Sequence, residues 1–390
     1  MKRFVKPSFY LILMMTCLLF AAAHDTSGGT KNADIQEQLL FAIISGDYDQ
    51  VQSLLSSGAD VNARDNKGAT SLVYASKYGN VQIVDLLLEA GAGVDTQTNI
   101  GGTALIFASV NGHANVVRTL IEHGAGLDIQ DTDGCTALWY ASSEGLIDIV
   151  RLLLSADAKA DVQANNGVTA LGIAAREGHA DVVSELLQAG ADISPNTLWL
   201  ASTFGNPVVV EMLISAGADI EAASGNGLTA LMWACTTPQD DLRHCADGRL
   251  EVVRLLIEAG ANVEARADYD NTALKFAAQY GQISIIQALI EAGADVDTKD
   301  NNLFTPLMTA TACGLSDTVD FLIEAGAAID AQSNAGYTAL MLASYYGFAD
   351  IVRSLVAAGA DRDLVSAHGE TAVMLATSSG YENIASLLSD

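Results

Sequence analysis

Positive charge is what this 390-residue chain has least of: 19 Lys and Arg stand against 47 Asp and Glu, a net charge of −28. Binding nucleic acid requires clustered Lys and Arg to neutralise phosphates, so that class is excluded. Histidine is scarce too, limited to His24, His113, His123, His179, His244 and His368. His244 lies near Cys235 and Cys245, but the spacing fits no zinc pattern. "DTDG" from Asp131 opens like a calcium loop, yet its glycine comes too early and the closing glutamate is missing. Nothing forms a nucleophile elbow. The expectation is therefore no metal, no cofactor and no enzyme. After residue 23, no apolar run approaches the roughly 20 residues needed to cross a bilayer.

The first 23 residues differ from the rest. Lys2, Arg3 and Lys6 precede an apolar run from Phe9 to Phe20, then Ala21-Ala22-Ala23. This order is that of a secretory signal peptide with an A-x-A site, with cleavage expected after Ala23. The competing reading is a retained membrane anchor, for which the run is short. Cys17 suggests lipid attachment, but "MMTC" is a poor sequence for it and leaves the alanines unexplained. The expected organisation is a signal peptide at 1–23, a polar linker at 24–33 and a repeat array at 34–390. Localisation would be periplasmic or secreted, and the loss of three basic residues takes the mature charge to −31.

From there a 33-residue phrase recurs. "GGTALIFASVNGHANVVRTLIEHGA" from Gly101 returns from Gly134 and again from Gly167. The threonine of T-A-L is a ruler: Thr70, Thr103, Thr136, Thr169, Thr229, Thr272, Thr305, Thr338 and Thr371, with Glu37 and Asn196 in the same slot, mark 11 copies. A fixed period of this length implies stacked units that bury a continuous core, not a closed globule. In the third copy Thr103 caps a short helix by offering its hydroxyl to an orphan N–H. Gly112 ends that helix. Val116, Val117, Leu120 and Ile121 then mark a second helix, closed by Gly124. The turn-rich stretch to Thr136 reads as a hairpin-like finger. Five residues after each ruler position stands alanine, from Ala42 to Ala376, small enough for close helix stacking.

These residues resemble the ankyrin repeat family. In the tenth copy the matching set is Gly336, Thr338, Ala339, Leu340, Ala343, Gly347, Ile351, Val352, Leu355, Gly359, Ala360 and Asp361. The resemblance covers roughly 34–390. It departs from the family's T-P-L-H, having T-A-L with proline only at Pro306 and no histidine in that motif. It implies an all-α solenoid that binds a partner protein through its concave face, made of inner helices and fingers.

Two intervals break the period. Asn196 follows Thr169 by 27 residues, which removes the finger before copy 6 and leaves a notch. Thr272 follows Thr229 by 43, which places an insertion, around 236–247, between the helices of copy 7. We expect a functional epitope or bend here, neutral loop drift being the alternative. Asp270 and Leu303 replace finger glycines, so those turns should be less regular. Cys135 and Cys313 would lie about 50 Å apart at about 10 Å per repeat, far beyond disulfide reach. Cys235 and Cys245 flank the insertion and could pair in an oxidising compartment; equally, Cys235 fills a small-residue packing slot.

Aromatic residues fall in two slots. Tyr74, Phe107, Tyr140, Trp233 and Phe276, four after the ruler position, are expected to pack between repeats. Tyr78, Phe204, Tyr280 and Tyr346, eight after it, fall in a slot that faces the concave surface in the family, with Asn111, Glu144 and Glu177 in the same slot. With their predecessors Lys77, Arg176, Gln279 and Tyr345 they are the candidate partner contacts. The acidic charge favours a partner with a basic surface. Polar residues Gln36, Glu37 and Gln38 at the start, and the chain's end after Leu388, fit terminal capping and a monomer. A host-directed effector and a protective scaffold are the alternative functions.

Overall fold

A computed structural model describes residues 31–236 and 246–389. Within them are 22 α-helices and no strand, two helices per copy. The ruler threonines do what their chemistry suggests. Each of the nine is an N-cap with extended φ/ψ, and its hydroxyl accepts from the N–H three residues on, as Thr103 does from Ile106 at 3.3 Å. The inner helix of copy 3 then spans Ala104–Val110 and the outer helix Ala114–Glu122.

Packing explains the period. All the alanines five after the ruler position are fully buried, from Ala42 to Ala376. Outer helices bury a stripe at i, i+1 and i+4, such as Val116, Val117 and Leu120. These rows join in one core running from Leu39 to Leu388. Gly79 shows how tightly copies meet: its φ is +77°, and an added Cβ would lie 2.5 Å from the His113 ring of the next copy. That ring's Nε2 bonds the Lys77 carbonyl at 2.9 Å, and His179 bonds the Ser143 carbonyl at 3.1 Å. Both histidines are thus inter-repeat connectors.

The fingers are turns and not strands. In the finger of copy 4, Asp131 N–H donates to the Cys135 carbonyl at 3.0 Å, while Asp131 Oδ1 accepts from the N–H groups of Asp133 and Cys135. A carboxylate satisfies the turn's donors, which removes the need for a strand pair.

Several expectations change. The first helix, Lys31–Ser45, begins three residues inside the segment read as linker. In copy 6 the cap is Ser194 and not Asn196, because Pro195 supplies a preset φ at the first helical position and moves the start forward. The copy 7 insertion falls between the helices Ala230–Ala234 and Ala246–Glu258. Its residues 237–245, Cys245 among them, lie outside the described residues; Cys235 carries a free, fully buried thiol that burial pushes up to about 12. The glycine-less fingers keep the regular hydrogen bonds, Ala267 N–H to Asn271 and Asp300 N–H to Phe304, but by forcing Tyr269, Asp270 and Leu303 to φ of +62°, +59° and +59°. In copy 1, Phe41 and Ile44 are exposed, so the polar cap expected there is incomplete.

Candidate functional site

Outside copy 7, whose inner helix ends at Ala234, the slot eight after the ruler position recurs at the end of each inner helix and forms one row. Tyr78, Tyr280 and Tyr346 are exposed there, and Tyr345 in the slot before it, each more than 40%. Tyr345 and Tyr346 meet edge to face at 5.0 Å, and Tyr346 stacks on Phe348 at 5.9 Å. Lys77 Nζ lies 5.5 Å from the Tyr78 ring. The Arg176 guanidinium lies 4.8 Å from the Phe204 ring across a copy boundary, and its Nε is 3.7 Å from Glu177. Phe204 is therefore half-buried. Asn111 and Glu144 are exposed helix C-caps, Asn111 turning its amide back to the Phe107 carbonyl at 2.7 Å. Gln279 is exposed beside Tyr280.

The other aromatic slot is packing. Tyr74 and Tyr140 donate to Asp65 and Asp131 of their own fingers at 2.7 and 2.6 Å, and burial followed by these carboxylates pushes both phenols well above their ordinary range. Trp139 and Trp199, one residue earlier in the slot register, bond the Val168 and Ala222 carbonyls.

Sequence reasoning missed three features. Cys313 occupies the row between Tyr280 and Tyr346 and is exposed. Its slot number was the available signal. Lys275 is buried and bonds Asp300 of the next finger at 2.5 Å. Burial lowers the Lys275 pKa against the pull of Asp300. For Asp300, burial raises and the Lys275 bond lowers, with the net below the ordinary value. The third feature is a ladder. Backbone N–H groups reach the preceding finger's carbonyl at Asn99–Lys67, Thr132–Ile100, Asn165–Asp133, Asp268–Asn226, Asn301–Tyr269, Asn334–Asn302 and Ala367–Ala335, at 2.8–3.1 Å. The rung is absent at the lost finger.

Among the described residues no three His, Cys, Asp or Glu side chains converge as metal ligands, and no helix is long and apolar enough to cross a membrane.

The family model for ankyrin repeats in three copies matches at 39–131, 123–197, 198–300, 242–333 and 307–390. The chain belongs to the ankyrin repeat family, a class of repeat proteins associated with protein–protein interaction. Comparison with curated proteins finds no match.

Proposed function

We propose that the mature chain is an exported, non-catalytic module that binds a partner protein through its inner-helix ends and fingers. The exposed tyrosine row carries this reading. In a chain with 47 acidic and 6% aromatic residues, the slot eight after the ruler position holds Tyr78, Phe204, Tyr280 and Tyr346 but only two carboxylates, Glu144 and Glu177. Tyrosines give large contact area at low entropic cost, and they are common binding anchors. The acidic charge elsewhere would steer a basic partner without needing to touch it. Export rests on the basic–apolar–alanine order of residues 1–23.

The test is affinity capture with the mature chain from an extracytoplasmic fraction, alongside the double variant Tyr345→Ala/Tyr346→Ala checked for helicity by circular dichroism. A stoichiometric partner lost in the double variant is expected. Equal recovery, or no stoichiometric partner, overturns the proposal. Fractionation of the native cells into periplasm, membrane and medium reads the export claim separately. Light scattering should give a concentration-independent monomer mass.

A further inference from the structure

The lost finger leaves more than a space. In the regular ladder each finger gives a carbonyl, three before the ruler position, to the next finger's N–H. At the gap, Asn166 offers that carbonyl and Gly225 that N–H, and neither has a hydrogen-bond partner. A second set of bonds runs beside the first. Gln97 and Gln130 each donate to their own finger's glycine carbonyl and to the next finger's backbone, reaching Gln130 and Gln163 at 3.0 and 2.9 Å. Gln163 is the next in this series. Its own-finger acceptor, the Gly167 carbonyl, is taken by Asn196 at 3.0 Å, and its next-finger acceptor is the missing one. Its exposed amide is therefore unused.

Space tells the same story independently. An added Cβ at Gly101 or Gly134 would lie within 2.8 Å of the next finger's backbone, whereas at Gly167 nothing lies within 4 Å. The floor is fixed on both sides. Asn196 holds Gly167, and the Trp199 indole N–H donates to the Ala222 carbonyl at 3.0 Å. With helices about 10 Å apart, two flanking fingers leave about 10 Å free, the thickness of one two-chain turn.

We propose that this notch binds a reverse-turn loop of the partner protein, which completes the finger ladder. The loop's N–H meets the Asn166 carbonyl, one of its carbonyls meets Gly225 N–H, another accepts from Gln163, and its tip rests on Trp199. The edge groups are uncharged, so the tip is uncharged; exposed Asp192, in the short connection at the base, favours Lys or Arg beside it. This deepens the partner-binding reading above and rests on it.

The probe is a backbone-cyclised peptide carrying residues 331–338, a finger of this chain whose turn is uncharged. It is titrated into the mature protein while the amide of Gly225 and the indole N–H of Trp199 are followed by NMR. Saturable shifts at both are expected. Binding should weaken roughly tenfold, the loss expected for one or two hydrogen bonds, in Gly225→Pro. It should weaken as much in a variant with six residues inserted after Asp192 to restore the finger. Gly225→Ala keeps the N–H and meets open space, so it should bind like the parent. No binding, or unchanged affinity in the filled variant, overturns the proposal. Self-association abolished by filling the gap would assign the notch to a second copy and overturn it as well. The titration needs no partner, so it fails or succeeds separately from capture through Tyr345 and Tyr346.

Discussion

Lys275 is the residue whose chemistry is least typical of a repeat interface. It is 4% exposed and bound to Asp300, so each charge depends on the other for its removal from water. Removing one partner leaves the other partly buried and unpaired, which costs more than removing both. Lys275→Met should destabilise by about 2 kcal/mol, below the full buried-pair value because Asp300 keeps some solvent and two backbone N–H bonds. Lys275→Met/Asp300→Asn should cost less than the sum of the single variants, as read in a denaturant double-mutant cycle. The pH sign follows from the shifts. Asp300 is lowered on folding, so its contribution is present above its unfolded value near ~3.9 and lost as pH falls through the folded value. Lys275 is also lowered, so folding gains stability as pH rises from its folded value toward ~10.4. Lys275→Met should flatten both limbs of the stability–pH curve. The pair was not legible in sequence, since a lysine three after a cap position looks like any exposed helical lysine until the next finger is placed over it.

At the scale of elements, the fingers tolerate wrong residues at a measurable cost. Leu303 sits at φ +59° where its siblings have glycine, and a left-handed leucine costs about 1–2 kcal/mol in the fold. Glycine's extra freedom when unfolded offsets part of this, so Leu303→Gly should stabilise by about 0.5–1 kcal/mol in thermal or denaturant melts. The copy 7 insertion has a subtler consequence. In copies 3, 5 and 6 the residue before the outer helix, His113, His179 or Asn206, reaches back to a carbonyl at the preceding copy's inner-helix end. In copy 7, buried Arg249 bonds the Thr236 carbonyl of its own copy at 2.9 Å. That carbonyl lies at the position Gln282 of copy 8 would use, and both amide atoms of Gln282 are buried without a hydrogen bond. Gln282→Met should therefore be neutral or stabilising, because it removes the cost of unsatisfied polar atoms while keeping length; a loss above about 1 kcal/mol would contradict this account. The two broken intervals were visible in the sequence. Their hydrogen-bond consequences were not, because those depend on which neighbouring group takes a shared acceptor.

For the whole molecule, stability is a sum over neighbouring copies, and its net charge of −28 acts against compaction. Few cations offset that charge locally: Arg151–Glu185 and Lys159–Asp128 are exposed pairs of small worth. Raising salt from low levels to roughly 0.5 M should increase Tm, as carboxylate repulsion is screened within a shrinking Debye length. A falling Tm over that range would mean that the surface pairs outweigh the repulsion. Helix order, caps and the buried alanine row were determined by sequence alone, because Thr, Gly and Ala act through local backbone geometry and recur at one spacing. So were the slots of the exposed tyrosines and the absence of one finger. What tertiary structure decided lay between copies: the aromatic that Arg176 covers, the burial of Lys275, and the open ladder groups of Gln163, Asn166 and Gly225. Those depend on a neighbour one period away, whose distance and orientation no local propensity encodes.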